Sequence, residues 1–310
     1  MKRIIVALLI GILSLNILGE DKKETIGITY VKSPLNVPSI VEKEKGIFNQ
    51  VLEKCKAEVQ YSNLTTGPEQ TQALASGDIK LLNAVGATSV ILSAANGGDI
   101  KIISMYSRSP KAFMLFSKDQ NIKSPENLKG RKVAGPKGTI LHELLVSYLK
   151  SGGLTEKDIE FISMGIPESQ AALINGSVDL ALLAGPTAAN MIKDGYNVVT
   201  NGENLVNATI VVATSEKYYK KCPDKVKGFL EGQKTVLNYI DKNYEEIIEI
   251  TAKETGLDIP TVKEMIKMYD FNMNIKDSDI ASVEKTMNFM YDNKMIEDKI
   301  DVKSLFLKVE

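Results

Sequence analysis

The 310-residue chain has no Trp, one His and two Cys, and only 6% of its residues are aromatic. A single His and the absence of any CxxC pair leave no set of residues with metal-ligand spacing, so neither a metal nor a cofactor is expected. Scarce rings leave few stacking platforms for bases or sugars. No charge of one sign dominates: 38 basic and 39 acidic residues give a net charge of −1. Nucleic acid is therefore not expected as a partner. Paired carboxylates, a Ser–His–Asp order and a nucleophile elbow are also missing, which removes the case for hydrolysis. What remains is the composition of a folded protein, 44% hydrophobic and 25% charged. Its length suits about two domains, enough to bury a core without metals or disulfides.

The chain starts Met1-Lys2-Arg3, runs apolar from Ile4 to Leu18, and continues Gly19-Glu20-Asp21-Lys22. A basic start, a short apolar run and a small residue form a secretory signal, with residues 1–19 as the leader and cleavage expected after Gly19. The alternative is a membrane anchor, but the run is 15 residues, short of the 18 or more of a spanning helix. No Cys follows it, so a periplasmic or secreted protein without a lipid anchor is expected. Export permits a disulfide between Cys55 and Cys222; two separate thiols are the preferred reading.

Thr25 to Val31 is β-branched and reads as a strand. Val37 to Lys54 has helical spacing, broken at Gly46. Glu58–Ser62 reads as a strand, Pro68–Ser76 as a helix and Ile79–Val85 as a buried strand. This alternation predicts an α/β protein with a mainly parallel sheet. Ala208–Thr214 is another strand. From Pro223 the pattern is helical, over Asp224–Asn243, Tyr244–Thr255, Pro260–Tyr269 and Asp277–Asn293. Methionines 265, 268, 273, 287, 290 and 295 have the spacing of core residues.

One segment occurs twice. Residues 68–88 (PEQTQALASGDIKLLNAVGAT) and 167–187 (PESQAALINGSVDLALLAGPT) match at 8 of 21 positions, at an offset of 99 without a gap. This predicts one helix–strand–turn unit used once in each of two similar lobes. Pro and Glu open the helix, Gly77 or Gly176 ends it, and Gly86 or Gly185 marks the exit of the strand. Ligands of open α/β sheets bind beyond the carboxyl ends of the strands, so two facing lobes would share one cleft. These glycines either contact ligand or only end secondary structure.

A third loop, Gly135-Pro136-Lys137-Gly138-Thr139, lies between the strand Arg131–Ala134 and the helical run Ile140–Lys150. Helix N-termini attract anions. Pro136 stands where a P-loop needs Lys, so a small oxyanion rather than a nucleotide is expected. The alternative is a plain Thr139 cap. His142, three residues on, either faces the same ligand or is a structural imidazole.

Several stretches carry a family resemblance: Pro34-Leu35-Asn36-Val37-Pro38, Glu44-Lys45-Gly46-Ile47-Phe48, Gln72 to Asp78, Ser124 to Gly130, and Lys137-Gly138-Thr139-Ile140-Leu141-His142. Together, in this order, they resemble the periplasmic solute-binding proteins of ABC importers, in the branch that binds aliphatic sulfonates, taurine, nitrate and thiamine precursors. The resemblance implies a type II periplasmic-binding-protein fold, with residues 25–115 and 208–310 as one lobe and 116–207 as the other. The ligand would lie between the lobes and be buried by hinge closure. Ser33, Thr66, Gly67, Ala87, Gly138, Thr139, Pro167, Gly185 and Asn207 are the binding positions it implies. Many sulfonate-type members have a ring, often Trp, where this chain has Ala181-Leu182-Leu183-Ala184-Gly185-Pro186, which leaves room for a bulkier or apolar solute.

The expected function is capture of a small, anionic solute and its delivery to an ABC permease with its ATPase, by a monomer. The alternatives are an enzyme of the thiamine-pyrimidine-synthase type on the same fold and a periplasmic sensor. The single His and the export signal speak against the enzyme, whose pattern leans on several His and a Cys cluster.

Overall fold

The computed structural model describes residues 23–310. The expected leader, 1–19, lies outside the described residues. The first part of the chain runs β1 (Glu24–Thr29), α1 (Val37–Lys45), α2 (Ile47–Leu52), β2 (Ala57–Ser62), α3 (Gly67–Ser76), β3 (Leu81–Gly86), α4 (Ala87–Ala95) and β4 (Lys101–Arg108). The second part runs β5 (Phe113–Ser117), β6 (Lys132–Gly135), α5 (Ile140–Ser151), β7 (Glu160–Ser163), α6 (Ile166–Asn175), β8 (Leu180–Ala184), α7 (Gly185–Lys193) and β9 (Asn197–Asn201). The last part is β10 (Thr209–Thr214) followed by α8 (Glu216–Lys221), α9 (Pro223–Lys242), α10 (Tyr244–Thr255), α11 (Ile259–Ile266) and α12 (Asp277–Asp292).

The strands form two five-stranded sheets, ordered β2-β1-β3-β10-β4 and β7-β6-β8-β5-β9. The two orders are equivalent. In each sheet four strands run the same way, three of them paired side by side, and a strand arriving from the other sheet pairs antiparallel on both of its sides. The sheets are therefore mixed, where the alternation alone predicts mainly parallel ones. Parallel neighbours need a long crossover, whereas β5 and β10 arrive through the short links 109–112 and 202–208 and enter from the opposite end. The chain changes sheets at Phe113, slightly before the expected boundary at 115.

The sequence repeat is a structural repeat. Residues 68–88 cover most of α3, all of β3 and the start of α4; residues 167–187 cover most of α6, all of β8 and the start of α7. Both copies place their strand at the centre of a sheet. Gly77 and Gly176 end their helices at φ +83° and +81°, left-handed conformations that a Cβ opposes.

Helix α12 packs on α4 over one face of the first sheet, burying Val90, Ile91, Val283, Met287 and Met290. Helices α6 and α7 cover the second sheet with Leu173 and Met191, and α5 covers its other face with Leu144 and Leu145. Met265, Met287 and Met290 are core residues, while Met268, Met273 and Met295 are half-buried. Cys55 and Cys222 are unpaired thiols. Among the described residues, no helix is long and apolar enough to cross a membrane.

Candidate ligand-binding site

Both sheets direct their helices toward one cleft of about 280 Å³. Its wall includes the first residues, or the residue just before, of five helices. These are Thr66 and Gly67 at α3, Gly86 and Ser89 at α4, Thr139 to Leu141 at α5, Ile166 and Pro167 at α6, and Ala184 and Thr187 at α7. First-turn amides have no acceptor within their own helix, and the dipole adds positive potential there. Thr66 and Glu69 form a capping box on α3, whereas no side chain caps α4, α5, α6 or α7. Five such termini, four of them without a side-chain cap, give the cleft unpaired amides and positive potential of the kind that suits an anion. Lys32 is the charged residue in its lining; its ammonium lies 3.8 Å from Glu254 Oε1 and donates to the Glu254 carbonyl at 3.2 Å, both outside the lining.

Most of the surface that the cleft exposes is apolar, from Val31, Ala84, Phe113 and Ile210 together with Ile140, Leu141 and Ile166 of the helix starts, while Ser33, Asn63 and Thr65 add polar groups. Two nearly fully buried carboxamides also line it, and their oxygens, Asn36 Oδ1 and Gln70 Oε1, have no protein partner. Asn36 spends its amide N–H groups on the carbonyls of Val31 and Ser33, at 2.8 and 3.0 Å, which ties down the loop after β1.

Ala84 reaches the cleft through an irregularity. Asn83 pairs with Val212 and Val85 with Val211, so Ala84 is an extra residue in β3 with φ +79°. A bulge of this kind re-aims a strand at a site, and the left-handed backbone stores strain there. Buried polar contacts hold its neighbour: Asn83 N–H donates to Thr29 Oγ1 at 2.8 Å, and Asn83 Nδ2 donates to Ser39 Oγ at 3.1 Å.

Of the positions expected from the sequence, Ser33, Thr66, Gly67, Thr139 and Pro167 line this cleft. The others do not. Ala87 is buried behind Gly86. The Gly138 carbonyl accepts the Ser89 hydroxyl at 3.2 Å, which joins the two halves beside the cleft. Gly185 lies against the backbone of Pro34. Asn207, in the second crossover, is half-buried and outside the lining. The Thr139 hydroxyl donates to the Pro136 carbonyl at 2.8 Å, so its proton serves the loop.

His142 takes the structural role. It is 1% exposed and stacked on Phe161 at 5.0 Å. Nδ1 accepts the Gly138 N–H at 3.3 Å, which assigns the ring proton to Nε2, 3.0 Å from Glu156 Oε2. Burial lowers its pKa and outweighs the opposing pull of Glu156, so the ring is neutral at pH 7. His142→Ala is expected to destabilise the fold by about 2–3 kcal/mol, read by urea unfolding, through lost packing and two lost hydrogen bonds. The neutral ring stabilises the fold at neutral pH; that contribution fades as the pH falls below 6.5, where the unfolded chain takes up the proton.

Phe113, Lys32 and Ala84 carry no glycine or turn signal that would mark them in the sequence. Phe113 opens β5, and the alternation of that strand turns Phe113 to the cleft and Met114 to a second hollow. That hollow, about 580 Å³ between α7 and α11, is larger but almost wholly apolar, and its Lys193 is paired with Asp258 at 3.3 Å. Gly185 at the start of α7 and Pro260 and Thr261 at the start of α11 also line it, and the α11 terminus is capped by Asp258.

The chain matches the family model described as NMT1/THI5 like over residues 36–247. It is 29% identical over 288 residues to a Bacillus subtilis protein named as an aliphatic sulfonates-binding protein, covering 92% of this chain and 85% of that one. A protein of the same name from Escherichia coli is 26% identical, covering 98% and 96%. Among solved structures, the alkanesulfonate-binding protein SsuA of Xanthomonas axonopodis pv. citri, bound to MOPS, superposes with a TM-score of 0.84 at 20% identity, over 92% of this chain and 98% of that one. With its two sheets, its shared cleft and these matches, the chain has the periplasmic-binding-protein fold and belongs to the NMT1/THI5-like family.

Proposed function

We propose that this protein is the solute-binding component of an ABC importer, and that it captures organic sulfonates with uncharged tails outside the cytoplasmic membrane. One observation carries the reading: five helix N-termini from both sheets meet at a cleft whose exposed surface is mostly apolar. The termini suit a compact anionic head, and Phe113 and the aliphatic residues suit a hydrocarbon tail. Relatives named for sulfonate binding support the same chemistry. The lining holds no thiol, imidazole or carboxylate, in keeping with reversible binding rather than turnover. The two halves, divided at the links 109–112 and 202–208, act as lobes about a hinge. A ligand closes them by binding the closed form more tightly. The protein works as a monomer and hands its solute to a permease driven by an ATPase.

The test is calorimetry with a series of sulfonates. 1-Pentanesulfonate is expected to bind at least about tenfold more tightly than taurine, because the taurine ammonium would be buried with no carboxylate beside it. The unpartnered oxygens of Asn36 and Gln70 can accept from a tail hydroxyl or amide, so hydroxyalkanesulfonates are expected to bind as well as the plain chain. Equal or tighter binding of taurine would overturn the assignment of an uncharged tail.

A further inference from the structure

Glu143 sits in the first turn of α5, one turn from the cleft, yet it is outside the cleft lining and its side chain reaches into the other half of the molecule. Glu143 Oε1 accepts the Thr286 hydroxyl of α12 at 3.1 Å, beside Thr88 of α4. Helix α5 packs on the second sheet, whereas α4 and α12 pack on the first. Glu143, Thr286 and Thr88 are 6%, 5% and 1% exposed, so the contact is closed to water. Helix α4 brings hydroxyls and no charge to this contact, and the charged group that faces the carboxyl is the exposed Lys285 of α12. A carboxyl buried between two separable halves without an ion-pair partner has a clear consequence: it is dry when they close and hydrated when they part.

We propose that Glu143 is a proton-operated latch: the carboxyl takes up a proton as the lobes close and loses it as they open, so that ligand is held more tightly in acid and released more readily as the pH rises. The proposal rests on the hinge-closure reading above. Burial raises the Glu143 pKa to about 7, from an ordinary value of 4.5, against the weaker opposing effects of Thr286, Lys285 and Thr88. The open form, with Glu143 in water, keeps the ordinary value. Protonation therefore favours closure fully below pH 4.5, the advantage fades as the pH rises to 7, and above 7 both forms are ionised and the curve is flat. An ionised Glu143 in the first turn of α5 also opposes an anion at the N-terminus of that helix.

Two measurements test the latch. The first needs no ligand: small-angle scattering of the purified chain at pH 5 and pH 8.5. A smaller radius of gyration at pH 5 is expected for the natural chain, and no difference for Glu143→Gln. The second is the dissociation constant of 1-pentanesulfonate, whose charge is constant over this range. It is expected to rise on the order of 100-fold between pH 5 and pH 7.5 and then level off. Glu143→Gln, a permanently neutral isostere, is expected to bind at pH 8 as the natural chain binds at pH 5. Thr286→Val, which changes the other side of the contact and leaves the carboxyl in place, is expected to keep the pH dependence. A pH-dependent compaction abolished in Glu143→Gln, with no binding of the sulfonate, would support the latch and refute the proposed ligand class. Affinity and radius independent of pH, or a pH dependence that persists in Glu143→Gln, would overturn the latch itself.

Discussion

Gly185→Ala is expected to hold the lobes apart and to weaken sulfonate binding about 1,000-fold, roughly 4 kcal/mol, while the protein stays folded. Gly185 begins α7 at φ +65°, where a Cβ opposes the backbone. The larger effect is across the cleft. A Cβ at this position would lie 2.0 Å from the Pro34 carbonyl oxygen and 2.6 Å from its carbon, and rigid backbone on the far lobe cannot yield as a flexible side chain would. The variant escapes the clash by staying open. In the open form a ligand touches one lobe, and the helix termini of the other no longer reach it. Calorimetry reads the affinity, and scattering at saturating 1-pentanesulfonate reads the lobe separation. Full affinity with normal compaction would show that closure does not bring Gly185 onto Pro34.

Arg108→Ala is expected to cost about 3–5 kcal/mol of folding stability and to lower the melting temperature by about 10 °C. Arg108 ends β4, immediately before the chain crosses to the second sheet. Its Nε and Nη2 bind both oxygens of Asp279, at 2.6 and 2.5 Å. The same guanidinium donates to the carbonyls of Asn272 and Asn274, at 2.9 and 3.0 Å. One side chain thus fixes the segment between α11 and α12 to the edge of the first sheet. Asp279 is 4% exposed, so loss of the arginine leaves a buried charge without its partner. Burial alone would raise the Asp279 pKa, but the Arg108 bonds and the Lys276 N–H together bring it below the ordinary 3.8. A depressed carboxyl stabilises the fold above its unfolded pKa, and that stability is lost as the pH falls through the folded value. The difference in stability between the natural chain and Arg108→Ala should therefore shrink in strong acid. Arg108→Lys should recover only part of the loss, because an ammonium cannot fork across both oxygens. Differential scanning calorimetry at pH 7 and pH 3 measures all three effects.

Much of this architecture is written locally. Gly46 separates α1 from α2, Gly77 and Gly176 end their helices in left-handed turns, and Tyr244–Thr255 is helical over the span its periodicity predicts. Each signal acts within about two turns of chain, through φ preference, capping or the 3.6-residue period. The 99-residue offset also reveals that two lobes share a plan, because a repeated sequence repeats the local choices that build it. The glycine-rich loop before α5 is visible for the same reason, as is Pro167 at its helix start, whereas Thr66 is reached only through the family resemblance.

Other features depend on which distant segments meet. The two mixed sheets follow from the crossings at 109–112 and 202–208, which turn β5 and β10 against their neighbours. Phe113 becomes a wall of the cleft, Ala84 the extra residue of a bulge opposite β10, and Gly185 a contact for Pro34, 151 positions earlier in the chain. His142 and Glu143 are adjacent on one helix, yet the first supports its own loop through Gly138 and Glu156 while the second reaches Thr286 on the far lobe. The sequence by itself determined many of the helices, strands and turns and the unit repeated in the two lobes, because those arise from preferences of neighbouring residues, while β4, β5, β7 and β9 carried no such local mark. Only the tertiary structure decided which helix N-termini share a cleft and which side chains face ligand, loop or partner lobe, because burial and contact are properties of surfaces brought together from far apart in the chain.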